Sequence, residues 1–339
     1  MSSAENTSTV KVKMRPMLSD MPQKIKQMIA ERTDVKSRYC LRKVNTHFRA
    51  AVDESPYFFE WLSTRRNSNF VRLILYGHFD IKYQKHGENG CVIKSRNTTD
   101  KIIEGEDYVQ RAIDDLGIML KSPNVFVKEF ELNGFGPGAK GAEQLLAKLA
   151  TFHHQLNIQQ LRVDMSKCRQ DDILQLLGHL KPRILKTLYI FSLMLSEIRV
   201  DRIAETEQWQ HLKEVTGGRA DGVPIAKILH LECFTSHTFR LTEQIVEEIV
   251  QWVRQHRDIS IKYRFSGSEN REIVKNWQKA VSQYQPSRKR IRIPGTERYL
   301  EINPKKFEVT FKTIGGPRDP EESDEEDDYD DSSSDSEFF

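Results

Sequence analysis

Cysteine is scarce in this chain. The four present, Cys40, Cys91, Cys168 and Cys233, stand far apart and form no C-x-x-C pair, so reduced thiols are expected rather than disulfides or metal ligands. The adjacent His153 and His154 fall on different faces of a helix, a poor arrangement for one ion, and no metal is assigned. No apolar run approaches the ~20 residues that cross a bilayer, and the opening MSSAENTSTVKVKM lacks an apolar signal core. Neither a membrane span nor secretion is expected, which leaves the cytoplasm, the nucleus or both. Also missing are G-x-S-x-G, H-E-x-x-H and C-x-x-C, so no nucleophile or general base can be named. A non-catalytic protein without a cofactor is the expectation.

Charge is plentiful but unevenly spread. Residues 318–339 hold twelve Asp or Glu against one Arg, a net of −11, so with a formal total of +3 the rest of the chain carries +14. A segment so charged and so poor in apolar residues is expected to stay disordered, as is the polar stretch 1–15. Ser323, Ser332 and Ser334 each have an acidic residue three positions on, a context for acidophilic kinases. Folded over the basic body, the tail would compete with an acidic partner, although a solubilising role is the favoured reading.

Residues 16–54 are the most informative. Ser19 or Asp20 is placed to cap a helix with Pro22 in its first turn, followed by an apolar stripe of Ile25, Met28 and Ile29. Thr33-Asp34 ends that helix and caps a second with Val35, Leu41 and Val44. Asn45-Thr46 opens a third with Phe48, Ala51 and Val52 on one face. A unit of about 39 residues buries little surface alone and needs a partner to cover the remainder.

Leu18-x-x-Met21-Pro22-x-x-Ile25, followed by Leu41-Arg42-Lys43-Val44-x-x-x-Phe48-Arg49, resembles the F-box motif, and the Leu-Arg-Lys-Val ending is similar to the nematode F-box-A group. Lys24 departs from the family, which usually has an acidic residue there. The resemblance implies an F-box over 16–55 that binds a Skp-type adaptor, and through it a cullin, in a ubiquitin ligase. The adaptor contacts it implies are Leu18, Met21, Pro22, Ile25, Leu41 and Val44.

Beyond Pro56, the aromatic-rich Tyr57–Leu62 is read as packing between the small module and the larger domain. Strand-like runs come next at Phe70–Tyr76, Ile81–Tyr83 and Cys91–Lys94. From residue 107 helix and strand alternate: helices near 107–121, 141–153 and 242–256 and one around Ile173–Leu180, with strands at Lys128–Leu132, Gln160–Asp164, Lys186–Ile190 and Ile259–Phe265. The stretch 196–225 gives the weakest signal. Phe130, Leu161 and Leu188 lie 31 and 27 residues apart as equivalent strand positions, which predicts an irregular, leucine-rich-repeat-like α/β solenoid. In the F-box-A group this place is held by an FTH domain, expected here over 56–313, with β-structure at 287–312 capping the last repeat and an acidic tail over 314–339. Alternation predicts an exposed strand row that includes Glu129, Glu131, Gln160, Arg162 and Tyr189 and would hold an unknown protein target. Arg162 and Tyr189 are its strongest candidate anchors.

Two further motifs stand outside this scheme. Gly136-Pro-Gly138-Ala-Lys-Gly141 matches the G-x-G-x-x-G of a dinucleotide-dependent enzyme. Pro137 removes one N–H from the cradle, and Lys128–Leu132 alternates charged and apolar residues, so a glycine-rich turn is favoured. Arg288-Lys-Arg290 with Arg292, and Lys305-Lys306, would suit phosphate or nuclear import. No interleaved aromatics support stacking on bases, which makes a nucleic-acid-binding protein the weaker alternative.

Overall fold

In the computed structural model the residues described are 20–75, 79–96, 98–134, 140–164, 170–191, 200–217, 220, 223–236, 243–255, 260–265, 290–293, 297–305 and 308–315. Three helices open them: α1 (Gln23–Arg32), α2 (Val35–Val44) and α3 (Thr46–Glu54). The punctuation residues explain the breaks. Asp34 accepts hydrogen bonds from the backbone N–H and hydroxyl of Ser37, and Asn45 accepts one from the Phe48 N–H, each satisfying an orphan donor of a first turn. Those two caps stand where expected. The first does not, since α1 begins directly after Pro22 and has no side-chain cap.

Three buried residues, Ala30, Phe48 and Ala51, form the small interior of this unit. The second helix also reaches outward, with Val35 joining the main core. Arg38 beside it is buried, donates to the Thr33 and Pro56 carbonyls at 3.3 and 3.1 Å, and lies 4.3 Å from the centre of the Tyr57 ring.

The segment after Pro56 is itself a strand, β1 (Tyr57–Arg66). It pairs antiparallel with β2 (Phe70–Leu75), which continues as a meander through β3 (Phe79–His86), β4 (Gly90–Ser95) and β5 (Lys101–Glu104). Helix α4 (Tyr108–Leu120) then carries the chain back to β6 (Val125–Asn133), parallel to β1 on its other side. From there neighbours in sequence are neighbours in the sheet. The run α5 (Lys140–Ala150), β7 (Asn157–Asp164), α6 (Gln170–Gly178) and β8 (Thr187–Phe191) is followed by two short helices, α7 (Val200–Ile203) and α8 (Glu207–Gln210). Next come β9 (Glu214–Gly217), β10 (Cys233–Ser236), α9 (Glu243–Gln255) and β11 (Ser260–Phe265).

Strands β6 to β11 are parallel throughout. The last three, β12 (Arg290–Arg292), β13 (Arg298–Lys305) and β14 (Glu308–Gly315), form an antiparallel edge joined to β11 through β14. Among the described residues this makes one sheet of 14 strands. Mixed α/β architecture behind three N-terminal helices is the class expected.

Register explains why the sheet holds together. Leu62, Phe130, Leu161, Leu188, Val215 and Phe234 pair in one continuous row across β1, β6, β7, β8, β9 and β10. Every member is essentially inaccessible to water. Full burial of such side chains contributes about 1.5–3 kcal/mol each. The spacing of Phe130, Leu161 and Leu188 in the sequence is therefore the spacing of three aligned strand positions. Two glycines close strand ends: Gly134 and Gly217 have φ of 79° and 95°, and a Cβ at either would overlap a neighbouring carbonyl oxygen, that of Arg66 or Ile190.

Candidate functional site

Helix α1 does not supply the interior of the helical unit from its apolar stripe. Its buried residues are Lys26 and Ala30, whereas Ile25 and Met28 face outward at 41% and 39% exposure. Val44, at the end of α2, is 55% exposed. Of the other sequence-derived contacts, Pro22 is exposed, Met21 and Leu41 are half-buried, and Leu18 lies outside the described residues. Met28 is exposed as well, although it is not among the contacts the resemblance implies. Three large apolar side chains thus stay open to water on a unit of three short helices. Charge near them is mixed: Lys24, Glu31 and Arg32 of α1 are exposed, and Arg42 is tied to Asp53 at 2.7 Å.

A second surface lies on the sheet. Apolar residues of α4, α5 and α6 share one core with the Leu62–Phe234 row. The alternate residues point the other way, and most remain half-exposed. Trp61 pairs with Glu129, Glu129 with Gln160, Gln160 with Thr187 and Thr187 with Glu214. Two positions further along, Ser63, Glu131, Arg162, Tyr189 and Thr216 form the next row.

Glu129, Glu131, Gln160, Arg162 and Tyr189 are thus brought onto one face of three adjacent strands. Arg162 Nε meets Glu129 Oε1 at 2.7 Å, and the guanidinium lies 4.6 Å from the Tyr189 ring centre. The Tyr189 hydroxyl donates to Glu214 at 3.4 Å. Burial, then the Glu214 carboxylate, push the Tyr189 pKa upward, so the phenol stays a neutral donor. An Arg–Tyr pair held from both sides by carboxylates has little side-chain freedom left to lose.

Sequence reading missed Trp61 and Glu214 here. Trp61 sits in an aromatic cluster that reads as packing, and Glu214 opens a strand of only four residues. The Glu-Val-Thr-Gly alternation was the available signal.

The glycine motif has little support from its surroundings. Gly136 and Gly138 lie outside the described residues, and Gly141 sits in the first turn of α5. Strand β6 is central and parallel, yet one of its faces is polar and half-open, unlike a doubly wound dinucleotide sheet covered on both sides. Of the basic cluster, Arg288, Lys289 and Lys306 lie outside the described residues, while Arg290, Arg292 and Lys305 fall on the antiparallel edge strands. Among the described residues no group of three or more His, Cys, Asp or Glu is placed to hold a metal, and no helix is long and apolar enough to cross a membrane.

Comparison with protein families decides the assignment. Residues 18–60 match the F-box domain and residues 142–278 the FTH domain. An F-box followed by an FTH domain is the architecture of the nematode F-box-A family, and this chain shares it. An F-box followed by an FTH domain is the make-up of adaptors in SCF-type ubiquitin ligases, with the FTH domain as the F-box-associated, substrate-binding region. Such proteins are typically non-catalytic. No curated protein and no solved structure matches the chain.

Proposed function

We propose that this F-box protein is a substrate-recognition subunit of an SCF-type cullin–RING ubiquitin ligase. It docks a Skp-type adaptor through residues 16–54 and holds a protein target against the half-open face of its sheet. The observation that carries the first half is the outward trio Ile25, Met28 and Val44, on the domain whose family role is adaptor binding. Each would contribute up to roughly 1.5–3 kcal/mol if fully covered.

The second half rests on the Trp61, Glu129, Arg162, Tyr189 and Glu214 surface. Aromatic and Arg anchors dominate interface energies, and this cluster contains three. In this reading the target domain over 56–313 is a curved stack of strand–helix units; the pairing of β1 with β6 and of β14 with β11 in one sheet supports it, with β14 running two residues further to Gly315. The acidic segment follows the end of β14.

No bond is made or broken by this chain. Its contribution is positional: tethering a target beside the ligase raises the effective concentration of target lysines at the transfer site. Proteomic capture with the full chain tests the target face. Arg162→Ala/Tyr189→Ala should reduce recovery of wild-type-specific targets roughly tenfold or more, the loss of one hot-spot pair, while adaptor binding stays intact. Unchanged recovery would remove this face from the mechanism.

A further inference from the structure

A groove that the adaptor and target surfaces do not use runs between α2 and the β2–β4 meander, closed at one end by α4. It encloses roughly 880 Å³, within the range of built ligand sites, which favour such junctions between domains. Its floor is apolar: Tyr39, Ile74, Phe79, Ile81 and Ile118, with Tyr39 and Phe79 in an edge-to-face contact at 6.1 Å.

The rim is cationic and unbalanced. Both lining carboxylates are engaged, Asp80 in a two-pronged pair with Arg72 and Asp115 with Arg111 and the Tyr83 hydroxyl. Arg42 is held by Asp53. Lys36, Lys43 and Arg96 are exposed and make no ion pair among the described residues. An apolar floor under three uncompensated cations calls for a strand of carboxylates carrying an aromatic anchor.

The chain contains one such segment. Residues 318–339 carry the −11 charge and end in Ser336-Glu337-Phe338-Phe339. We propose that this groove is the docking site of the chain's own acidic tail, with Phe338 and Phe339 on the Tyr39–Phe79 floor and the carboxylates along the Lys36–Lys43–Arg96 rim.

Length permits it. Strand β14 ends at Gly315 and lies nine strand positions from β3, at most ~43 Å along the ladder at ~4.8 Å per strand. The 23 residues from there to Phe338 reach at most about 80 Å when extended. A relaxed coil of that length averages only about 25–30 Å between its ends. The tail must therefore stretch, and only the combined apolar and ionic contacts can hold it there.

Cys40, exposed and lining the groove, gives a direct test in the full chain. With Ser336→Cys introduced, mild oxidation followed by peptide mapping should join the new tail thiol to Cys40 about tenfold more often than to Cys233. A tenfold preference corresponds to about 1.4 kcal/mol. The yield should not change on dilution. Raised salt or Lys36→Glu/Lys43→Glu/Arg96→Glu should lower it by a similar factor, since exposed charge pairs are screened. Phe338→Ser/Phe339→Ser, which alters no described element, should do the same. Even cross-linking to both cysteines, a yield that rises with protein concentration, or one indifferent to these changes would overturn the proposal.

Discussion

Arg38 is the residue on which the join between the helical unit and the sheet depends. It is only 6% exposed, and it is tolerated there because two carbonyls accept from it and the Tyr57 ring covers its face. Burial lowers its pKa, but from a value so high that the charge persists. Replacing it by alanine leaves two carbonyls without their donor, and a loss of about 2–3 kcal/mol is expected in urea unfolding. Lysine should not restore it, because it cannot reproduce the planar fork over the ring.

Histidines give the residue scale a pH dependence. Burial holds the His179 pKa below its usual value, and burial, opposed by a backbone hydrogen bond at Leu120, does the same at His154. The unfolded chain then takes up protons that the folded chain refuses. The stability at stake is complete above the unfolded pKa of about 6.5 and drains as pH falls below it. The urea midpoint should drop between about pH 7.5 and 5.5, and His154→Gln/His179→Gln should flatten that drop.

Among the elements, those with a strong local signature are the ones the sequence makes legible. Helix α4 shows its apolar side at Val109, Ala112, Ile113, Leu116 and Leu120, and all five are buried. The caps Asp34 and Asn45 announce α2 and α3. Removing the second by Asn45→Ala should cost about 1 kcal/mol, read as a lowered thermal midpoint, because α3 carries Phe48 into the small core.

What stays hidden is pairing over long separations. Strand β1 has a local partner in β2, but the pairing that makes it a central strand is with β6, 68 residues away, Leu62 opposite Phe130, and leaves no local signal. Strands β9 and β10 have four residues each, too few to display a period, and are held in place by their neighbours. The direction of α1 was illegible for another reason. Periodicity identifies an apolar stripe but not whether it faces its own core or a partner, and here Ala30 goes in while Ile25 and Met28 stay out.

At the scale of the whole molecule, one sheet carries two candidate surfaces: the three-helix unit packed beside it and a polar row of aligned strand residues. The candidate target row was legible because alternation assigns strand faces without knowledge of the topology. Its binding partner was not, since a surface records the shape and charge of its ligand but not its identity. The central claim is that the three-helix unit docks a Skp-type adaptor. The direct measurement is calorimetric titration of the full chain with purified adaptor, comparing wild type with Ile25→Asp/Val44→Asp. These side chains are exposed, so the thermal midpoint should hold while affinity falls by roughly a hundredfold or more, the loss of two apolar anchors. Equal affinity in the two proteins, or no binding by the wild type, would contradict it.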